Sequence, residues 1–274
     1  MGDDWVRSMG DDWVPEGIDT ERPSSARVYD FYLGGAHNFD ADRRMAEQAL
    51  AVLPDAPLMA RANRAFLRRA VQFLVDRGIR QFLDIGSGIP TVGHVHEIAQ
   101  RTAPDARVVY VDIDPVAVSH SRQILAGNER VAAIQEDVRR PEQILEHPGL
   151  MALLDFAEPV AVLVVALFHF VPDADDPADL LARLTAPLAP GSHLVISHAT
   201  DDAPRDFTKG MEVYRRGGID VALRSHAEIA ALFGDFALVD PRLVWVPQWR
   251  PDSPDDVGDT PESSVIYAGV GHRS

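Results

Sequence analysis

A chain of 274 residues with 46% hydrophobic content can bury one sizeable core, and the absence of cysteine excludes disulfides and thiolate metal sites. The formal net charge of -16 argues against a nonspecific polyphosphate ligand, although residues 1–21 and 252–262 together carry -11 and leave a body of about -5. No run of about eighteen apolar residues occurs, and the acidic start lacks the basic-then-apolar order of a secretory signal. The expectations are therefore no membrane span, no nucleic-acid partner and a cytoplasmic location.

In chain order, MGDDWV at residues 1–6 returns at 9–14, too short a unit to build architecture. It reads as a duplicated start or an artificial leader, and residues 1–22 are expected to be a poorly ordered tail. Ser24-Ser25 can cap a helix carrying Val28, Phe31 and Tyr32 and stopping at Gly34-Gly35, with Tyr32 in the core. Asp40 can cap a second helix through Leu50. A third, from about Leu58 to Asp76, places Ala62, Ala65-Phe66, Ala70 and Phe73-Leu74 on one face and closes at Gly78. Residues 23–78 thus read as an all-helical cap. Arg61, Arg64 and Arg68 share a face of its third helix, which reads as a solvated stripe rather than a site for an acidic ligand.

From residue 79 to 274 the pattern changes to short apolar runs alternating with helices. Candidate strands are Gln81–Ile85, Arg107–Val111, Val131–Gln135, Val160–Ala166 and His193–Ser197, and the intervening helices argue for right-handed crossovers and a parallel sheet. The Val160–Leu167 run is apolar throughout, as a central strand buried on both faces requires. Ser225-x-x-Glu228 is a capping box opening a helix to Phe233. Phe236–Val246 and Ser264–Val270 then read as two strands joined by a loop, which permits an antiparallel hairpin at the sheet's end.

The chemistry gathers at the strand ends, where open α/β sheets bind ligands. DIGSGIPT, from Asp84 to Thr91, carries the first two glycines of a dinucleotide fingerprint, Gly86 and Gly88, but Thr91 stands where the third Gly or Ala belongs. Acids follow each of the first three strands: Asp84, then Asp112 and Asp114, then Glu136-Asp137. Asp114 before Pro115 reads as a helix cap. A carboxylate beside a pyrophosphate is repulsive, so Asp84 fits NAD poorly. S-adenosylmethionine (SAM) has no phosphate and presents an ammonium, a sulfonium, a carboxylate, a ribose diol and an adenine. Asp84 suits the ammonium, Asp112 the diol and Asp137 the adenine amino group, while backbone N–H groups near Gly86 to Ile89 are free for the cofactor carboxylate.

FLDIGSGIPT, VVYVDIDP, QEDV and LVVALFHFV resemble, in order and spacing, the successive motifs of class I SAM-dependent methyltransferases over residues 79–200. ARVYDFYLGGAHNFDADRRMAE at 26–47 more narrowly resembles an actinobacterial S-adenosyl methyltransferase family once catalogued as a domain of unknown function. The resemblance implies a Rossmann-like α/β fold, a seven-stranded mostly parallel sheet with an antiparallel C-terminal hairpin behind an N-terminal helical lobe. It also implies SAM contacts at Asp84, Gly86, Gly88, Asp112, Asp137 and the end of the fourth strand. With Ser87, Ile113, Val138 and Ala166 these complete the expected cofactor set. No acceptor follows from it beyond an expected small molecule methylated on oxygen or nitrogen, and no oligomeric state.

Methyl transfer requires no strong acid, but an oxygen acceptor of high pKa needs a base, and His169 in LFHF is the best placed. The alternative is that His169 shapes the pocket without proton transfer. His198, past the fifth strand, is a second candidate that reads better as structural. His94 and His96, two apart at a helix start, are expected not to face one another and are discounted as a metal pair. Spacing alone makes Gly34-Gly35 an ordinary helix cap. The resemblance instead favours a hinged cover whose Tyr29, His37 and Asn38 reach cofactor or acceptor. Met211 and Tyr214 in PRDFTKGMEVYRRGG are candidates for acceptor selection. The rival readings are an NAD(P)-dependent oxidoreductase, which leaves Asp84 and Asp137 without a role, and a SAM-binding protein without chemistry.

Overall fold

The computed structural model describes residues 19–90, 93–203 and 207–274. The MGDDWV repeat and Thr91 lie outside them.

The helical segment folds as α1 (Ser25–Tyr32), α2 (Asp40–Val52) and α3 (Ala56–Asp76). The alternating part follows as β1 (Gln81–Ile85), α4 (Val95–Thr102), β2 (Arg107–Asp112), α5 (Pro115–Ile124), β3 (Val131–Gln135), α6 (Pro141–Leu145), α7 (Pro148–Met151), β4 (Ala161–Val165), α8 (Pro177–Thr185) and β5 (His193–Ala199). The chain closes with α9 (Thr208–Arg216), α10 (His226–Ala231), β6 (Ala237–Leu238), β7 (Val244–Trp245) and β8 (Ile266–His272). The strands form one sheet in the order β3-β2-β1-β4-β5-β8-β6, with β7 also on β8. β1 to β5 pair in parallel and β8 runs antiparallel to β5. The order reverses between β1 and β4, so the crevice for a ligand opens beyond their carboxyl ends.

Two-residue alternation decides which face each strand residue serves. Phe82, Val108 and Val195 point to the layer holding α3, whereas Leu83, Val109 and Val162 point to the opposite layer with α8. α3 is therefore a flanking helix of the sheet. Its inward residues Phe66, Ala70, Val71 and Leu74 are fully buried, and Phe66 meets the Trp249 ring edge-on at 5.3 Å. The buried Arg69 donates to the carbonyls of Val246 and Trp249, both at 2.9 Å, and ties α3 to the C-terminal segment. α1 and α2 form a smaller cluster with α9 through Val28, Met45, Ala49 and Val213.

Several local expectations are corrected. The start of α2 is held by Asp42 rather than Asp40. Its carboxylate accepts from Phe39 N at 2.8 Å and Ser24 N at 2.9 Å, while Asp40 pairs with Arg43 on the surface. The helix opened by the Ser225–Glu228 box stops at Ala231. The single strand expected over Phe236–Val246 is two short ones, because Pro241 has no N–H for a ladder and Arg242 takes a left-handed φ of 72°. Both pieces pair with β8, Leu238 opposite Gly271 and Val244 opposite Ala268, so the sheet has eight strands and its antiparallel end stands.

Candidate active site

The turn after β1 is shaped by its neighbour strand. Gly86 and Gly88 have φ of +69° and +67°, and a Cβ on Gly86 would sit 2.6 Å from a Leu167 methyl. Val111 O accepts from Gly86 N at 2.8 Å and Ser87 N at 3.1 Å. The Asp112 carboxylate accepts from Gly88 N at 2.7 Å and Asp114 N at 2.8 Å, so one acid at the end of β2 fixes two turns. Asp114 caps α5 through Val116 N at 2.8 Å.

These elements enclose a cleft of about 120 Å³ lined by Asp84, Gly86, Ser87, Gly88, Asp112, Ile113, Asp137, Val138 and Ala166, the whole expected cofactor set. Burial lifts the Asp84 carboxyl to about 7, opposed by Arg64 and reinforced by Asp112. Burial also raises Asp112 to about 6, against the backbone N–H groups of Asp114 and Gly88. At Asp137 burial is outweighed by Arg139, which pairs with the carboxylate through two nitrogens at 2.9 and 2.6 Å and holds it below the usual range.

The cleft also holds residues that the sequence reading missed: Asn63, Arg64 and Leu67 of α3, and Phe170. Arg64 thereby leaves the solvated stripe. Arg61 is exposed and Arg68 pairs with Asp252, whereas Arg64 is half-buried, donates to Gly93 O at 3.1 Å and lies near enough to Asp84 to lower its pKa. Its residue type was the one available signal.

A second chamber, about 160 Å³, adjoins the first. Tyr29, Ala166 and Phe170 line both. Among the described residues its remaining wall is largely apolar, including Leu53, Met59, Phe207, Met211 and Ile266, with Tyr32, His169, Thr200 and Tyr214 as the polar side chains. Tyr32 is buried as expected, but its hydroxyl reaches Tyr214 Oη at 3.0 Å. Tyr29 is held by a chain of buried and part-buried bonds. Ser197 Oγ accepts from Ala166 N at 2.9 Å and donates to Asn63 Oδ1 at 2.6 Å, Asn63 Nδ2 donates to Tyr29 Oη at 3.1 Å, and Tyr29 donates to Ala60 O at 3.0 Å. The Tyr29 ring is thus fixed as the partition between the cavities, with its hydroxyl already engaged.

His37 and Asn38 line neither cavity. Asn38 is buried and bonds Asp30 and Gly35 O, both at 2.9 Å, and His37 N donates to Asp30 at 3.0 Å. The His37 ring lies 3.9 Å from that of His120. Asp30 organises this loop, and a side chain on Gly35 would collide with its carboxylate. His94 and His96 do face each other, stacked at 5.6 Å, because His94 is the extended cap residue and lies outside the helical spacing. His198 is fully buried between Arg224 and Ala199 O. Among the described residues no helix is long and apolar enough to cross a membrane.

The sequence pattern of the S-adenosyl methyltransferases matches residues 11–274. No match is found among curated proteins. The chain is similar to a crystal structure of a candidate methyltransferase from Thermobifida fusca, with 40% identity, a TM-score of 0.90, and coverage of 96% of this chain and 99% of that one. It is equally similar to a DUF574 family protein of Streptomyces avermitilis, with 40% identity, a TM-score of 0.90, and coverage of 93% and 99%. An O-methyltransferase family protein of Burkholderia thailandensis, at 15% identity, a TM-score of 0.52, and coverage of 89% and 64%, shares the fold. With the pattern matched along almost its whole length and the strand-end acids gathered in one cleft, the chain belongs to the S-adenosyl methyltransferase family and is a SAM-dependent methyltransferase.

Proposed function

We propose that the first cleft holds SAM and that the adjoining chamber receives a small, mostly apolar acceptor methylated on an oxygen or a neutral nitrogen. The observation that carries this reading is the shared wall of Tyr29, Ala166 and Phe170, which brings the two cavities into contact. When bound, SAM supplies an electrophilic methyl on a sulfonium, and the enzyme's task reduces to holding a nucleophile in line at about 3 Å.

The donor set of the cleft fits this cofactor. Asp84, buried, offers charge to an ammonium. Asp112 keeps lone pairs for a diol beyond the two it gives to backbone N–H groups. Asp137, although paired with Arg139, has further acceptor sites for an adenine amino group. Arg64 is the charge complement for the cofactor carboxylate, an assignment that replaces backbone N–H groups alone. A dinucleotide would instead set its pyrophosphate against Asp84. Among the described residues the chamber wall holds no carboxylate to meet a cationic amine.

Calorimetric titration tests the cofactor half: SAM and its demethylated product bind and NAD does not, and binding of NAD alone would overturn it. The acceptor half is tested by incubating enzyme and SAM with hydroxylated aromatics and with primary amines and reading methyl gain by mass spectrometry. Transfer confined to the amines would refute the assignment.

A further inference from the structure

We infer that His169 serves the acceptor as a hydrogen-bond donor through Nε2–H, not as a base, and that Arg224 is the positioning residue that sets the tautomer of the adjoining His198 and sets a positive charge against protonation of His169. The inference rests on the chamber being the acceptor site.

A guanidinium has no acceptor, so the 2.7 Å contact between Arg224 Nη1 and His198 Nε2 is a donation to His198. His198 is then neutral with its proton on Nδ1, which donates to Ala199 O at 2.6 Å. The same residue's amide, Ala199 N, donates to His169 Nδ1 at 3.4 Å. That nitrogen is therefore unprotonated, and the one ring hydrogen of neutral His169 is on Nε2, the polar atom left to the chamber that the ring lines. Arg224 is itself held in place, donating to Phe168 O and Val171 O at 2.9 Å and to Asp173 at 2.6 Å.

The groups facing His169 agree. Burial pushes its pKa well down, and the positive charge of Arg224 ahead of α10 adds to this. The tyrosines Tyr29, Tyr32 and Tyr214 on the chamber side carry no charge to offset them. Asp173, exposed, is committed to Arg224. The Tyr32–Tyr214 pair contributes a second donor, because the hydroxyl that accepts keeps its own hydrogen free.

Among the described residues the chamber offers these two donors and no base, which selects an acceptor whose lone pair is already available, such as a phenol or enol acidic enough to enter ionised. Its oxygen takes the methyl as the carbon–sulfur bond breaks, the sulfonium becoming a neutral thioether. The acceptor proton has already gone to water, and His169 keeps its own throughout.

The test is nitrogen-15 NMR of the histidine rings in the full chain, free and with S-adenosylhomocysteine, with the His169 signal identified by its loss in His169→Gln. A neutral Nε2–H ring from about pH 6 to pH 8 is expected at His169, and a neutral Nδ1–H ring at His198. Arg224→Met should release the His198 ring to mixed tautomers and leave His169, still bonded by the Ala199 amide, as Nε2–H. Should that variant fail to fold, the wild-type spectra still decide. An Nδ1–H tautomer or ordinary titration of His169 would overturn the inference and leave the SAM reading intact, whereas failure of S-adenosylhomocysteine to bind would strike that reading while the free-protein tautomers remain measurable. With para-nitrophenol as a coloured probe, binding to the wild-type protein and to His169→Gln should favour the phenolate, and His169→Ala should lose that preference. Equal behaviour of all three would also overturn it.

Discussion

Asp84→Asn separates what the cleft costs the fold from what it binds. Burial holds the Asp84 carboxyl at about 7 against an ordinary 3.8, so the folded chain takes up this proton more readily than the unfolded chain. The associated stability is fully present below about pH 4 and is lost as pH rises through about 7. At about 1.4 kcal/mol per pKa unit the ionised carboxylate costs the free enzyme roughly 2–4 kcal/mol at pH 8, the lower figure allowing for its coupling to Asp112. An isosteric amide removes that cost. Urea denaturation of the ligand-free protein should find Asp84→Asn more stable by roughly 2–4 kcal/mol at pH 8 and nearly unchanged at pH 4, if the amide finds partners as good as the acid's. SAM affinity should move the other way, falling roughly tenfold to a hundredfold as one charge-assisted bond to the ammonium is lost. Wild-type SAM binding near pH 7 should also release a fraction of a proton, seen as a buffer-dependent heat. A variant no more stable at pH 8 would refute the burial cost, and unchanged SAM affinity would refute the ammonium assignment.

Arg64→Met should weaken SAM about tenfold while leaving methylthioadenosine, which has no carboxylate, unaffected; calorimetry on the pair checks it. Gly86→Ala combines a left-handed φ with a Cβ 2.6 Å from Leu167, and should cost about 2–4 kcal/mol in thermal unfolding and reduce SAM binding. Asn63→Ala leaves the Ser197 and Tyr29 hydroxyls short of partners, so a loss of about 2–4 kcal/mol is expected by denaturation. Asp112→Ala should weaken SAM by about 1–3 kcal/mol by calorimetry, with a further loss of fold stability as Gly88 N and Asp114 N lose their acceptor.

The lining of the first cleft was legible because it is local. Each acid follows its own strand, the two glycines occupy the intervening turn, and parallel pairing brings strand ends to one edge whatever else the chain does. Strand positions carried over for the same reason, since apolar runs of four to seven residues between turn signals have few other uses. The Phe236–Val246 run failed where one proline interrupts a ladder, a feature the composition does show but the apolar pattern outweighed.

The second chamber and the surroundings of the first were not legible. Arg64 and Arg68 are one helical turn apart and chemically alike, yet one lines the cleft and the other pairs with Asp252, because the docking angle of α3 on the sheet decides which turn meets the strand ends. His37 and Asn38 looked poised for a ligand, but a buried Asp30 claims their neighbourhood. The tautomer of His198 depends on Arg224, 26 residues away in sequence, and that of His169 on the Ala199 amide 30 residues away. Sequence by itself determined the fold class, the cofactor and the strand-end acids, since periodicity and charge act within a few residues. Tertiary structure alone decided the chamber, its partition and its proton arrangement, because those depend on which faces of distant elements are pressed together and on where each buried polar group then finds its partner.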